Sequence, residues 1–355
     1  ANPGVPKRRA RSVARNRSGP CVRGIRSAPR GRENQEEDTM PAKKRISVVS
    51  AVWNEEENVI PCYEAVRKVF EEQLPQYEYE HIFCDNASTD RTLELLKEIA
   101  RRDKRVKIIA NSRNFGAARS AFNGLMSARG DAVVFSISAD LQDPPSLIPE
   151  FVKKWEEGYE VVYGIRKERE ENFLLSGMRK LYYRVVQRFS DFPIPADVGD
   201  FQLLDRVIVE ALRQMEDHYP YTRGMIAQCG FKSVGIDYRH LKRERGEAKG
   251  KFYVLIDMGL NGLISFTNVP LRVCMLAGLV IAALSLLFVF VQLALLLFVS
   301  RGSSPPGIPT LIIALFFFSG VQLFFLGFLG EYISAIHFQV RKRPMVIERE
   351  RINFE

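Results

Sequence analysis

The chain has 355 residues, 46% of them hydrophobic, and a formal net charge of +9. That length and apolar content exclude a wholly disordered chain: they bury a domain-sized core and leave roughly a hundred residues for an appendage. Ten of the first 32 residues are Lys or Arg and none is acidic, so much of the basic balance lies in one arm and does not indicate nucleic-acid binding.

Residues 1–39 carry no apolar periodicity and cannot bury enough surface to fold alone, which predicts a disordered basic extension. It reads as an arm for anionic lipid, as an Arg-rich targeting peptide, or, most simply, as an extension without function before the start at Met40-Pro-Ala-Lys-Lys-Arg45.

From residue 40 to about 250, short β-branched runs alternate with longer amphipathic stretches, the pattern of a mostly parallel sheet with helices on both faces. A first strand is expected over Arg45–Trp53, then a helix over Glu55–Glu72 with Ile60, Val66, Val69 and Phe70 on one face. A second strand over Tyr79–Asp85 precedes a helix capped by Asp90 and running through Arg101. Further strands fall at Val106–Ala110, Ala132–Ser138 and Glu160–Gly164, with helices near Gly116–Ala128 and Pro145–Glu157. Ligands of open α/β sheets sit at the carboxyl ends of the strands. Four polar clusters occupy those ends: Trp53-Asn-Glu55, Asp85-Asn-Ala-Ser-Thr-Asp90, Asn111-Ser-Arg-Asn-Phe-Gly116 and Ser138-Ala-Asp-Leu-Gln-Asp143. Each alone is compatible with turn chemistry; four in succession favour a site.

Downstream, Arg166, Lys167, Arg169, Arg179, Lys180 and Arg184 form a cation-dense stretch with Tyr182 and Tyr183 among them. Guanidinium groups bind phosphate oxygens through a two-pronged fork, and a basic helix facing lipid headgroups is the alternative. The five cysteines form no CxxC pair and have no histidines at ligand spacing, which fits reduced thiols and no zinc site.

Near the C-terminus, Val273–Ser300 and Ile308–Gly330 are uncharged and each long enough to span a bilayer. The short Arg301-Gly-Ser-Ser-Pro-Pro-Gly307 link makes them an antiparallel hairpin. Arg272 and Arg341-Lys-Arg343 outside the hairpin, against Arg301 in its loop, put both chain ends and the large domain in the cytoplasm. The expected organisation is therefore an extension (1–39), a catalytic domain (40–250), a juxtamembrane segment (251–272), two spans (273–300 and 308–330) and a cytosolic tail (331–355).

The four clusters, with Leu329-Gly-Glu-Tyr-Ile333 and Arg343-Pro344 in the tail, resemble the GT-A glycosyltransferases of family 2. Within it the match is to polyprenyl-phosphate sugar transferases: dolichyl-phosphate-mannose synthases and, more closely, bactoprenol (undecaprenyl-phosphate) glucosyltransferases. The resemblance covers about Ile46 to Pro344. It implies a cytosolic GT-A domain plus two membrane helices in a cell inner membrane, a homotetramer, UDP-glucose as donor, undecaprenyl phosphate as acceptor, and Mg2+ or Mn2+.

Residue by residue, the resemblance implies that Ala51, Trp53, Glu55, Asp85 and Ala139 bind the nucleotide sugar, with Ala51 in place of the usual proline. Asp140 and Gln142 match the metal positions of the Asp-Ala-Asp-Leu-Gln motif, whose first acid is here Ser138. Asp143 could serve instead, or begin the helix that follows Pro144-Pro145. Arg166, Arg179 and Tyr183 fall where mannose synthases hold the acceptor phosphate. In Ala196-Asp197-Val-Gly-Asp200, Asp200 is the implied catalytic or third metal-ligating carboxylate, with Asp197 next. Arg243-Glu-Arg-Gly246-Glu-Ala-Lys249 resembles a loop that closes on the donor diphosphate through Arg243 and Lys249, with Ala248 in place of a serine. A processive polysaccharide synthase would share the first half, but its Gln-x-x-Arg-Trp motif is missing, since the two tryptophans are Trp53 and Trp155. A catalytically inactive membrane scaffold is the other alternative, favoured by Ser138.

Overall fold

The computed structural model describes residues 43–166, 198–217, 220–239, 276–281, 283–284, 287, 290–291 and 307–354. Outside its apolar runs the described part of the chain is a three-layer α/β fold around one eight-stranded sheet. In chain order its elements are β1 (Arg45–Val52), α1 (Val59–Gln73), β2 (Glu78–Asp85), α2 (Thr92–Arg102), β3 (Val106–Asn111), α3 (Ala117–Ser127), β4 (Ala132–Phe135) and α4 (Ile148–Glu156). Then come β5 (Val161–Arg166), β6 (Val198–Asp205), α5 (Arg206–Gln214), α6 (Thr222–Gln228) and β7 (Ser233–Tyr238). A long helix α7 (Ile308–Val340) and a last strand β8 (Glu348–Ile352) complete the described chain.

The strand order is β7-β5-β6-β4-β1-β2-β3-β8. β1 is central in the parallel half, in register with β2 from Arg45↔Glu78 to Val52↔Asp85 and flanked on its other side by β4. Both faces of β1 and β2 are covered by helices, so burial is nearly continuous along them and takes in polar residues such as Ser47, Glu80 and His81. Residues Val59, Cys62, Val66, Val69 and Phe70 of α1, with α2 and α4, pack one face, whereas Phe122 and Leu125 of α3 and Ile208, Val209 and Leu212 of α5 pack the other. Asp205 caps α5 by accepting Val207 N–H at 2.8 Å and also accepts the indole N–H of Trp155 at 2.6 Å, fixing α4 against the end of β6.

Several details differ from the sequence reading. The sheet is mixed, because β6 runs antiparallel between β4 and β5 and β8 runs antiparallel beside β3. β4 stops at Phe135, not Ser138, since Ser136 takes a positive φ of 59° and turns the chain out of the strand. α1 begins at Val59, which leaves Ile60 exposed at the first turn. Asp90 does accept Thr92 N–H at 3.0 Å, one residue ahead of the first-turn geometry expected of it.

The C-terminal region departs further. α7 runs ten residues past Gly330, to Val340, and Phe317–His337 within it is long and apolar enough to cross a membrane. Leu311, Leu315, Phe317, Leu323, Phe324 and Ile333 are exposed along it. Residues 341–354, within the segment read as a tail, carry β8 into the sheet, where Asn353 donates to Ala100 O and Val106 O at 2.8 Å each. In the first apolar run, the described residues among 276–291 are helical; the 301–306 link and the rest of that run lie outside the described residues, as do residues 1–39 and 251–272.

Candidate active site

The loops that follow β1 and β2 are tied to each other through side chains of the type that turns favour. Asn54, at φ 54°, accepts Thr89 N–H through Oδ1 at 2.8 Å, and its own N–H donates to Ser88 Oγ at 2.9 Å. Glu55 N–H donates to Thr92 Oγ1 at 2.8 Å, and Glu56 and Asp90 bond across the same seam. Trp53 is left 38% exposed at the rim. Asn86 is the hub of a second web: it donates to Asn114 Oδ1 at 2.8 Å and accepts from Asn111 Nδ2 at 3.1 Å and Phe115 N–H at 3.0 Å. Gly116, at φ 92°, then turns the chain into α3, a conformation that a side chain would strain.

After β4, Asp140 Oδ1 accepts Gln142 N–H at 3.2 Å, and Leu141 at φ 59° completes the turn. Ala51, Val52, Trp53, Glu55, Asn86, Ala117, Ser138, Ala139 and Asp140 line an open cleft of about 200 Å³. It lies at the carboxyl ends of β1, β2 and β4, where an open sheet of this type takes its ligand. Ala51, Trp53, Glu55, Ala139 and Asp140 were expected from the sequence; Asn86 and Ser138 are additional walls. Asp85 is buried beneath the loop, where its carboxylate accepts Ser88 N–H at 3.3 Å and burial pushes its pKa up. Arg113 stacks on the Phe115 ring with 3.9 Å to the centroid.

The β5–β7 side is ionic. Asp143 is buried and does not cap a helix: its carboxylate accepts Ser138 Oγ at 3.2 Å, Arg166 Nη2 at 3.1 and 3.2 Å, and the Tyr238 hydroxyl. Arg166 Nε also donates to Tyr238 Oη at 3.0 Å. Burial opposes the Arg166 charge, yet Asp143 and Tyr238 outweigh it and hold its pKa above the ordinary value. The Tyr238 hydroxyl is pushed up by burial and by Asp143, so it stays protonated and donates. On β6, Asp200 is gripped by Arg223 of α6 through Nε at 2.6 Å and Nη2 at 2.9 Å. Burial raises the Asp200 pKa, but Arg223 and Arg166 prevail and hold it below the usual carboxylate range.

Among the described residues no three His, Cys, Asp or Glu side chains are grouped to hold a metal. Both oxygens of Asp200 face Arg223, and Asp143 is taken by Arg166 and Tyr238. Asp140 is a hard oxygen donor on the cleft wall, a type of group that fits a cation of the Mg2+ type, which takes one or two protein carboxylates and finds its other ligands on substrate phosphates. Asp197, Arg179, Tyr183, Arg243 and Lys249 lie outside the described residues. Arg223 and Tyr238 had no sequence signal beyond their residue type; Asp143 stood next to the Asp140 cluster and was visible as an alternative carboxylate.

The open cleft at the strand ends of this mixed sheet is walled by an exposed indole and a carboxylate turn. Residues 47–213 match the family described as Glycosyl transferase family 2. The chain is 36% identical over 312 residues to the uncharacterized glycosyltransferase YkcC of Bacillus subtilis, covering 88% of this chain and 95% of the relative. It is 33% identical over 304 residues to a prophage bactoprenol glucosyl transferase homolog of Escherichia coli, covering 85% of this chain and 98% of that protein. It is 34% identical over 305 residues to the bactoprenol glucosyl transferase of Shigella phage SfII, covering 85% and 97%. The chain belongs to glycosyltransferase family 2.

Proposed function

We propose that this glycosyltransferase moves glucose from UDP-glucose to a polyprenyl phosphate, undecaprenyl phosphate, with inversion at the anomeric carbon and with Mg2+ or Mn2+. The observation that carries the reading is the presence in one chain of an open cleft at parallel strand ends, with Glu55 and Asp140 on its wall, and a long, exposed apolar helix. The names of the bactoprenol relatives support the acceptor. A lipid acceptor also accounts for the apolar runs, which we read as a membrane hairpin in the cell inner membrane with both chain ends cytoplasmic.

Trp53 offers a face for the base, with Ala51, Glu55 and Ala139 beside it, and Asp85 supports this wall from beneath the loop. Asp140 and Gln142 would hold the cation, and Asp200 joins them only when an oxygen leaves Arg223. When bound, the cation neutralises charge that develops on the departing diphosphate. Arg166, Arg179 and Tyr183 receive the acceptor phosphate, while Arg243 and Lys249 cover the diphosphate. An acceptor phosphate oxygen bonds to the anomeric carbon from the side opposite the breaking bond to the diphosphate oxygen, and UDP leaves. The acceptor is already ionised at neutral pH, so no strong base is needed and Asp200 and Asp197 serve to position it.

The test uses the full chain in detergent with radiolabelled UDP-glucose and undecaprenyl phosphate. The expected result is label in the organic phase with Mg2+ or Mn2+ and none after EDTA. No lipid-linked label from any of a panel of sugar nucleotides would overturn the activity, and transfer unaffected by EDTA would overturn the metal requirement.

A further inference from the structure

Arg166 occupies the last position of β5 and Tyr238 the last position of β7, and the two are register partners in the parallel pair. Their contacts close a ring: Arg166 Nε–H donates to Tyr238 Oη, the Tyr238 hydroxyl donates to Asp143, and Asp143 accepts Arg166 Nη2–H. Ser138 anchors the carboxylate from the side of the cleft wall. Two glycines on adjacent strands provide the space. A Cβ on Gly199 of β6 would come within 3.2 Å of Arg166 Nε and 3.4 Å of its Nη2, and a Cβ on Gly164 of β5 would lie 2.6 Å from Cε1 of Tyr238.

The ring uses only one edge of the guanidinium, the side formed by Nε and Nη2. Nη1, at the end of the guanidinium, takes no part in it, while Nη2 lies 3.1 and 3.2 Å from the two Asp143 oxygens. The end edge that Nη1 shares with Nη2 is one of the two edges through which a guanidinium meets phosphate in a two-pronged contact, and the side edge is already occupied by the ring. A guanidinium on a flexible side chain would have to lose its rotamer freedom on binding, and one already fixed by two partners loses little.

We propose that Tyr238 and Asp143 are positioning residues that lock Arg166 with its end edge presented to a phosphate, and that this phosphate is the acceptor's. The inference rests on the reading of Arg166 as an acceptor-phosphate cation. The role belongs to the ring as a unit, so removing the tyrosine hydroxyl frees the guanidinium while leaving its charge in place.

The test measures dissociation constants of the full chain in detergent for two probes, a short-chain polyprenyl phosphate and UDP, in wild type, Arg166→Ala, Tyr238→Phe and the double variant. Tyr238→Phe should weaken polyprenyl phosphate binding about tenfold, the size expected for one hydrogen bond to a charged group, and leave UDP binding within about twofold. In the Arg166→Ala background the same substitution should change nothing, because the group through which it acts is gone. General structural damage would weaken both probes and would persist in that background; either result overturns the proposal. A loss confined to UDP overturns it in favour of the donor diphosphate. If Arg166→Ala leaves polyprenyl phosphate binding unchanged, the reading of Arg166 itself fails. If Arg166→Ala weakens it and Tyr238→Phe does not, that reading stands and the positioning role falls.

Discussion

On the β1–β3 side of the cleft the loops are held mainly by amides, with Asn54, Asn86, Asn111 and Asn114 bonding to backbone N–H groups and to one another, while the carboxylates there, Asp85, Glu56 and Asp90, accept from backbone N–H groups. On the β5–β7 side the same task falls to ion pairs, Asp143 with Arg166 and Asp200 with Arg223. Amides fix a loop in place without adding charge, which suits a wall meeting a base and a sugar. Paired ions keep full charges oriented at the strand ends, which suits a wall meeting phosphates. Asp140 stands where the two sides meet.

The comparison breaks most sharply at that junction. Asp140→Ala should cut lipid-linked transfer about a thousandfold with UDP binding still measurable, read from initial rates in the two-phase assay. Transfer within tenfold of wild type would remove Asp140 from the site. Next in size, Asn86→Ala empties the hub of the amide web and takes a partner from the buried Asn111 and the part-buried Phe115 N–H, at a cost of about 2 kcal/mol in denaturant unfolding. Because no ion is involved, that cost should be the same at low and at high salt.

A pH scan separates the same two regimes inside the parallel half. His81 is fully buried between Ser50 and the Phe83 ring, its Nδ1 has no hydrogen-bond partner, and burial holds its pKa at about 3, below the ordinary 6.5. The unfolded chain therefore binds a proton that the folded chain refuses between those values, and stability falls as pH drops through that window. His81→Gln should flatten the fall by about 1.4 kcal/mol per pH unit between about pH 4 and pH 6; an unchanged slope would mean the ring is protonated in the folded state. The smallest effect belongs to Arg223→Ala. Asp200 is partly exposed, so the pair contributes only about 1 kcal/mol to stability, and unlike the Asn86 cost this should shrink in 1 M salt.

The neutral side was legible in the sequence because its signals are local. Trp53-Asn-Glu55 and the Asp85–Asp90 run sit directly after strands that read as strands, and Asn, Asp and Ser there announce turns. The ionic side was not, because its partners are set by register. Tyr238 lies 72 residues from Arg166 and meets it only once β7 pairs with β5. Asp143 read either as an alternative carboxylate of the site or, on account of Pro144-Pro145, as a helix start, and its burial beside a cation places it in the ionic network. β8 carries Glu-Arg-Glu-Arg-Ile, which reads as a solvated tail; as an edge strand it pairs with β3 while Glu350 meets Lys97 and Glu348 meets Arg351. Ile60 shows the cost of a boundary error, since a helix beginning at Val59 turns it outward.

The cleft beside Trp53 and Asp140 is the proposed seat of the nucleotide sugar. The chain has two tryptophans, of which Trp53 lies at the cleft and Trp155 is buried against Asp205. The decisive measurement is intrinsic fluorescence during titration with UDP and Mg2+. The account predicts saturable quenching that Trp53→Phe abolishes and Asp140→Ala weakens. Quenching that survives intact in Trp53→Phe, or emission unchanged at UDP concentrations that support full transfer, would contradict it.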